Sequence, residues 1–185
     1  EYVGVPHGIG MSSGTDALLA ALMVLDVGPG DEIVTTPFSF FATAGVVARL
    51  GARPVFVDID PGTFNVTEAG LRGAITANTK ALMPVHLFGQ VAELGGLYDD
   101  PDRPPLIEDA AQSIGASLHG RASGQLGDFA CYSFFPAKNL GCFGDGGGMA
   151  VTDDELAEKA RIMRLHGSKP KYYHHVVGGN FRLDA

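Results

Sequence analysis

Lys138 lies among aromatic, glycine and small residues in the segment 133–148, SFFPAKNLGCFGDGGG, of a chain with only 13 Lys and Arg residues. Lysine is rarely buried without a partner, because burial disfavours its charged form. A desolvated lysine can therefore become a nucleophilic amine. The alternative is a lysine at the surface with its ammonium group in water. The segment indicates either an exposed lysine or an amine that is kept for covalent chemistry.

A second candidate group lies in PPLIEDAAQS, where Glu108 and Asp109 directly follow an apolar run. The small residues Ala110 and Ala111 leave room for a flat ligand, and Asp109 could hold a cationic ring nitrogen through a charge-assisted hydrogen bond. The alternative is a carboxylate that caps the next turn. Ser133, at the end of another apolar run, could donate its hydroxyl to a phosphate.

Gly14 and Thr15 form a third group, at the start of a helix predicted from about residue 15 to 25. The free N–H groups and the positive dipole end of a helix suit a phosphate. The alternative is an ordinary helix cap. A nucleotide-binding loop is disfavoured, because GxxxxGK[ST] is absent and HGIGMSSG has neither the GxGxxG spacing nor a strong strand before it.

Metal and hydrolase chemistry find little support in the sequence. The six histidines contain no HExxH or Cys/His ligand spacing, so His174 and His175 are interpreted as loop residues that form hydrogen bonds. No GxSxG motif is present. Cys131 and Cys142 are too few for a disulfide framework and too far apart for a CxxC pair, so we expect two buried, reduced thiols.

The elements that must position these groups alternate along the chain. Apolar runs such as DEIVTT, ARPVFVDID, KALMPVHLFG and PPLIEDAA alternate with helix-patterned segments such as SFFATAGVVARLG, TEAGLRGAI and VAELGGLYD. DFACYSF and GGMAVTD then lead into the helix pattern of DDELAEKARIMRLHG. Such alternation predicts a mainly parallel sheet with helices on both faces. Ligands bind beyond the carboxyl ends of strands in open α/β sheets, which is where all three groups lie.

Composition limits the classes of function. The 185 residues are 45% apolar and 18% charged, which suits one α/β domain. The net charge of −8, without a basic run, argues against DNA or RNA as a partner. No window is apolar for long enough to span a membrane and no secretion signal is visible, so a cytoplasmic location is expected. Both ends of the sequence suggest that it is part of a longer protein.

Six motifs occur together and in order: SSGTDAL, PFSFFATA, PVHLFGQ, IEDAAQSIGA, GDFACYSFFPAKNLGCFGDGGG and GGNFRLD. This combination resembles the DegT/DnrJ/EryC1/StrS family of sugar aminotransferases, which depend on pyridoxal 5'-phosphate (PLP). The resemblance implies a three-layer α/β/α fold with a mainly parallel mixed sheet, the large PLP-binding domain of a fold-type I aminotransferase. Residues 1–185 would be that domain, without the family's N-terminal segment and its smaller C-terminal domain.

The resemblance also implies roles for individual residues. Lys138 matches the lysine that forms the internal Schiff base, and Asp109 the carboxylate that pairs with the protonated pyridine nitrogen. Gln112 would donate a hydrogen bond to the phenolic oxygen, and Phe40 would stack on the ring. The remaining matches would bind phosphate: Gly14, Thr15 and Ser133 in the same subunit, and Asn180 in the neighbouring subunit of a homodimer with shared active sites.

The implied reaction moves an amino group, in this family from glutamate, to the keto carbon of a nucleotide-linked sugar, with Lys138 as acid and base. Some relatives are dehydratases in which histidine replaces this lysine, so the lysine favours transamination. Two alternatives stay open: another PLP-dependent reaction, such as dehydration or a lyase reaction, and a non-catalytic regulatory homologue. Residues 169–175 form either a loop near the substrate or an exposed structural loop.

Overall fold

The computed structural model describes residues 1–184 and contains one extended sheet. Parallel strands β2 (Glu32–Thr35), β3 (Arg53–Phe56) and β4 (Thr79–Leu82) pair in the order β3-β2-β4. β5 (Ile107–Asp109) pairs in parallel with β8 (Phe129–Ser133), which is followed by β9 (Gly147–Val151) and β1 (His7–Met11). Parallel bridges from Leu82 to Leu106 and from Val85 to Asp109 join the two halves.

The direction of the strands confirms the predicted fold class. The joined order is β3-β2-β4-β5-β8-β9-β1, and within residues 1–184 β9 alone runs against its neighbours in this sheet. A separate hairpin is formed by β6 (Ser117–Leu118) and β7 (Arg121–Ala122). The sheet is therefore mixed and mainly parallel, as the β-α alternation predicts.

Helices cover both faces of the sheet. One face carries α1 (Gly14–Val24), α2 (Ala42–Arg49) and α4 (Asp154–Met163), whose apolar residues pack on Ile33, Met83 and Phe129. The other face carries α3 (Glu68–Gly73), the 3-10 helix Gly95–Asp99 and the hairpin, which pack on Val34 and Leu82. Neighbouring strand residues thus point into different cores, as they must in a sheet that is buried on both sides.

α1 matches its predicted range to within one residue at either end. It begins after Ser13, whose hydroxyl accepts a hydrogen bond from the Asp16 N–H at 3.0 Å. Most of its residues are buried, because it packs against α2 and α4 as well as the sheet. This burial fixes the start of α1 at the carboxyl end of β8.

Two strands start at glycine-rich segments. HGIGM is strand β1, whose two glycines weaken the strand pattern, and its pairing with β9 compensates for that weakness. β9 begins at Gly147, the first residue of the GGMAVTD run. Two local predictions need correction. VAELGGLYD forms only a short 3-10 helix, since paired glycines disfavour a longer one. Cys131 is buried, but Cys142 is only partly buried.

None of the helices within residues 1–184 is long and apolar enough to cross a membrane.

Candidate active site

A cavity of about 860 Å³ opens at the carboxyl ends of the central strands, beside the start of α1. Its walls come from the loops after β2, β4, β5 and β8. Seven of the eight site residues singled out from the sequence line it: Gly14, Thr15, Phe40, Asp109, Gln112, Ser133 and Lys138. The structure thus brings three separate candidate groups, spread over more than a hundred residues, into one site.

Asp109, the last residue of β5, is buried at the floor of this cavity. Its Oδ2 accepts a hydrogen bond of 2.7 Å from the Thr43 hydroxyl, and its Oδ1 accepts one of 3.3 Å from the Ala111 N–H. Burial raises the pKa of the Asp109 carboxyl, while these two donors and the charge of Lys138 oppose that rise. A buried carboxylate that faces a cavity can pair with a cationic group on a ligand.

Thr43 was missed by the sequence analysis. It is buried in the first turn of α2, and its Oγ1 also lies 2.8 Å from the Ser39 Oγ. Because the Thr43 hydroxyl proton is donated to Asp109, Ser39 must be the donor to Thr43. The sequence signal was weak: Thr43 lies in the quoted PFSFFATA motif, but its contact with Asp109 spans 66 residues.

Glu108 takes no part in the cavity, although the sequence groups it with Asp109. Its fully buried carboxylate accepts hydrogen bonds from the backbone N–H groups of Gly124 at 2.9 Å, Leu126 at 3.0 Å and Gly127 at 2.7 Å. A fourth bond of 2.8 Å joins it to Nε2 of buried His86. With four partners the Glu108 carboxylate is satisfied, so its role is to hold the 124–127 loop in place.

The His86 ring has a defined hydrogen-bonding arrangement. Its Nδ1 accepts a bond of 3.2 Å from the Ala92 N–H, which places a proton on Nε2 toward Glu108. His86 also lines the cavity. It follows β4, so the rule that ligands bind beyond strand ends could have identified it from the sequence.

The start of α1 forms one end of the cavity. The amides of Gly14 and Thr15 precede the first intrahelical hydrogen bond and donate to no group within residues 1–184. A Cβ on Gly14 would lie 2.7 Å from the Cβ of Ser133, so glycine is required for this close approach to β8. Free amides, a helix dipole and the nearby Ser133 hydroxyl together suit a phosphate.

Lys138 lies in the loop after β8, where its backbone N–H donates a 2.8 Å hydrogen bond to the carbonyl of Phe135. The residue is partly buried and lines the cavity, and its positive charge acts on the Asp109 carboxyl. The amine therefore belongs to the same site as Asp109 rather than to an isolated surface position. Of the two interpretations that the sequence leaves open, this arrangement supports an amine kept for covalent chemistry over an exposed surface lysine.

Aromatic side chains stand at the mouth of the cavity. Phe40 and Phe88 line it and are 77% and 74% exposed, so neither ring is covered within the described chain. Phe88 was not singled out from the sequence, although PVHLFGQ contains it. Gln112 and Asp145 also line the cavity.

Asn180 does not line the cavity. It is exposed, and its backbone pairs with Leu165. Residues 169–175 are exposed and do not line the cavity, and His174 and His175 hydrogen-bond to the carbonyls of His166 and Lys169. Among residues 1–184, no group of three or more His, Cys, Asp or Glu side chains could hold a metal ion.

Comparison with known families decides the family of this chain. The model of the DegT/DnrJ/EryC1/StrS aminotransferase family matches residues 1–185. The chain belongs to this family. It spans about half the length of the curated relatives it matches, 50% of the length of two of the three described below and 52% of the third.

Three relatives illustrate the range of functions in the family. A pleiotropic regulatory protein of Geobacillus stearothermophilus is 58% identical over 99% of this chain. A UDP-N-acetyl-3-dehydro-alpha-D-glucosamine 3-aminotransferase of Acidithiobacillus ferrooxidans is 50% identical over 98% of it. A UDP-2-acetamido-2-deoxy-3-oxo-D-glucuronate aminotransferase of Pseudomonas aeruginosa is 50% identical over all of it.

Solved structures show the same fold. A family aminotransferase from Brucella abortus matches with a TM-score of 0.94 and 43% identity, over 99% of this chain and 52% of its own. NtdA from Bacillus subtilis, which was solved with the bound cofactor PMP, matches with a TM-score of 0.91 and 35% identity, over 98% of this chain and 42% of its own.

Proposed function

We propose that the protein is a PLP-dependent aminotransferase that acts on the keto carbon of a nucleotide-linked sugar. The observation that carries this proposal is the shared cavity of Lys138, Asp109 and the start of α1. An amine, a buried carboxylate and a phosphate-binding helix end are the three groups that PLP needs. Membership of an aminotransferase family and a relative with bound PMP support the cofactor.

The residues of the cavity fit PLP in size and in chemistry. A volume of about 860 Å³ lies within the usual range for small-molecule sites and leaves room for a substrate beside the cofactor. The free amides of Gly14 and Thr15 and the Ser133 hydroxyl would hold the phosphate. Asp109 would accept a hydrogen bond from the ring nitrogen, Gln112 would donate one to the phenolic oxygen, and Phe40 would stack on the ring.

When bound, PLP supplies an electron sink that stabilises negative charge on the substrate carbon next to nitrogen. Asp109 would maintain this property by keeping the ring nitrogen protonated. Lys138 would hold the cofactor through its amine at rest. When it is free, the Lys138 amine would act as base and acid, taking a proton from the substrate carbon next to nitrogen and holding it for delivery during amino transfer. In the second half-reaction the same amine would move the proton in the opposite direction.

The substrate class rests on the relatives. Two of them, each 50% identical to this chain, are named for amino transfer to 3-keto sugars linked to UDP. We therefore propose a nucleotide-linked keto-sugar as acceptor and glutamate as amino donor. The open, aromatic mouth of the cavity, with Phe40 and Phe88 exposed, suits a large substrate that extends out of the site.

We also propose a homodimer with shared active sites, in which Asn180 reaches the phosphate of the neighbouring subunit. The exposure of Asn180 and its place outside its own cavity support this arrangement. Exposed aromatic residues such as Phe41 and Phe143 would be covered in a dimer. Residues 1–185 would then be the large PLP-binding domain of a longer chain, and a cytoplasmic location stays a prediction.

A turnover assay with the full-length protein tests the proposed activity. Glutamate, PLP and a UDP-linked 2-acetamido-3-keto sugar should give the amino sugar and 2-oxoglutarate. Lys138→Ala should abolish turnover, while Lys159→Ala, on the exposed side of α4, should leave it unchanged. Undiminished transamination by Lys138→Ala would end the proposal.

A regulatory function is the second candidate, because the 58% identical relative is named as a pleiotropic regulatory protein. The same assay separates the two candidates. A protein that binds PLP but turns over none of the keto-sugar nucleotides offered with glutamate would favour regulation. Release of a product without nitrogen would instead indicate dehydration.

A further inference from the structure

Thr43 lies between Asp109 and Ser39 in a chain of hydroxyl groups at the cavity floor. Ser39 donates to Thr43 over 2.8 Å, and Thr43 donates to Asp109 Oδ2 over 2.7 Å. Thr43 is 1% exposed and Asp109 is 5% exposed, so water cannot readily replace either partner. Within the part of the chain that the structure describes, Thr43 is the one side chain that donates a hydrogen bond to the Asp109 carboxylate.

We propose that Thr43 is a positioning residue that holds the Asp109 carboxylate toward the ring nitrogen of the cofactor and favours its ionised form. This inference rests on the proposed function, since it gives Asp109 a cationic ring as partner. Thr43 acts through Asp109. The Ser39 hydroxyl in turn orients the Thr43 hydroxyl, and it belongs to the segment that carries Phe40.

The geometry explains why Asp109 needs such a donor. A buried carboxylate tends to take up a proton, and a protonated Asp109 could no longer accept the proton of a ring nitrogen. The hydrogen bond from the second protein donor, the Ala111 N–H, is longer, at 3.3 Å. A short bond from Thr43 fixes the rotation of the carboxyl group and leaves its remaining lone pairs directed into the cavity.

Other ionisable groups also face Asp109. His86 follows β4 and Lys138 follows β8; burial raises the pKa of the Asp109 carboxyl, and the charge of Lys138 opposes that rise. Burial raises the pKa of the Cys131 thiol on β8, and the nearby Asp109 and Glu108 charges raise it further. Glu108 points to the other side of β5, toward the 124–127 loop. Thr43 is the neutral donor in this set, so its removal changes the hydrogen bonding of Asp109 without changing the charge of the site.

The test compares Thr43→Val, which keeps the shape of the side chain but lacks the hydroxyl, with Thr43→Ser, which keeps the hydroxyl. Binding of pyridoxamine phosphate to the full-length protein without cofactor is measured by calorimetry between about pH 5 and 9. Binding of inorganic phosphate is measured in parallel, because phosphate would use the start of α1 and has no ring nitrogen for Asp109 to bind. Neither measurement depends on turnover.

Thr43→Val should weaken pyridoxamine phosphate binding roughly tenfold at neutral pH, the effect of one hydrogen bond to a charged group. Phosphate binding should stay unchanged. The loss of pyridoxamine phosphate affinity in acid should move to higher pH, because the Asp109 carboxyl would hold its proton more tightly. Thr43→Ser should restore wild-type behaviour to within about threefold.

Several outcomes would overturn the inference. If Thr43→Val binds pyridoxamine phosphate as tightly as wild type does, Thr43 does not act on Asp109. If the affinities for pyridoxamine phosphate and for inorganic phosphate fall equally, the substitution disturbs the fold in general. If Thr43→Val does not fold, Ser39→Ala is used instead. It must move the loss of pyridoxamine phosphate affinity in acid to higher pH, by less than is expected for Thr43→Val. No shift would overturn the inference as well. If the wild-type protein binds no pyridoxamine phosphate, the proposed function fails first, and the inference fails with it.

Discussion

Glu108 and Asp109 are consecutive residues of β5, yet their carboxylates serve opposite sides of the sheet. The Glu108 carboxylate is bound by three backbone amides of the 124–127 loop and by His86. The Asp109 carboxylate is bound by Thr43 of α2 and faces the cavity. Because neighbouring side chains of a strand point to opposite faces of the sheet, Glu108 stabilises the 124–127 loop while Asp109 is available to a ligand in the cavity.

Glu108→Ala should destabilise the protein. It leaves three buried amides and the His86 imidazole without their acceptor, and the removal of one partner of a buried charged network costs about 3–5 kcal/mol. Unfolding of the full-length protein by urea measures this loss. Glu155→Ala, at an exposed position of α4, is the control and should change stability by no more than about 0.5 kcal/mol. Equal stability of the two variants would contradict the role given to Glu108.

Asp109→Asn should stabilise the cofactor-free protein at neutral and alkaline pH. Burial raises the pKa of Asp109 above its ordinary 3.8, so the folded state binds its proton more tightly than the unfolded state does. Ionised Asp109 therefore lowers stability as the pH rises through the folded-state pKa, and an amide has no such cost. Urea unfolding across the pH range should give stability curves for wild type and Asp109→Asn that coincide below pH 3.8, diverge as the pH rises to the folded-state pKa and stay apart above it. Parallel curves would rule out a raised pKa.

The same variant should lose catalysis. A neutral amide cannot keep the pyridine nitrogen protonated, so Asp109→Asn should lower kcat by roughly a hundredfold or more, as the removal of one electrostatic partner commonly does. Steady-state assays with the full-length protein measure this loss. If Asp109→Asn is more stable than wild type and equally active, Asp109 is not the partner of the ring nitrogen.

Ser133→Ala should weaken PLP binding by roughly tenfold, because one hydrogen bond to a charged phosphate is lost. Pyridoxal, which has no phosphate, is the matched ligand and should bind wild type and variant equally well. Fluorescence titration of the cofactor-free protein measures both affinities. A loss that is the same for both ligands would assign Ser133 to a different part of the cofactor.

Gly14→Ala should disturb the start of α1. Its Cβ would lie 2.7 Å from the Cβ of Ser133, and such overpacking costs about 1–3 kcal/mol and moves the amides away from a phosphate. Gly8→Ala in β1 is the control, because no atom lies within 4 Å of its added Cβ. Thermal unfolding and phosphate titration compare the two variants. If Gly8→Ala proves the more harmful, the close approach at Gly14 is not what selects glycine.

Much of the fold and part of the site were predictable from the sequence. Strands such as EIVT and FACYS have strong apolar patterns, and the strand-end rule places Asp109, Ser133 and Lys138 at one edge of the sheet. β1 was not predictable, because HGIGM becomes a strand only through its pairing with β9. Local pattern cannot reveal a partner that lies 140 residues away in the chain.

Side-chain direction and long-range hydrogen bonds account for the rest. The sequence could not tell which of Glu108 and Asp109 faces the cavity, because this depends on the phase of a three-residue strand. The bond from Thr43 to Asp109 joins α2 to β5, and nothing in the local sequence of either element indicates it. Asn180 is exposed and does not line the cavity, so the role proposed for it depends on a second subunit that the sequence does not show.

The proposed function depends above all on Lys138 as the amine that holds the cofactor. The visible absorption spectrum of the full-length protein with PLP is recorded before and after borohydride, and peptide mapping then locates the reduced adduct. The visible band should disappear on reduction, and the label should be found on Lys138 within SFFPAKNLG. A label on another lysine, or no covalent adduct at all, would show that Lys138 does not hold the cofactor.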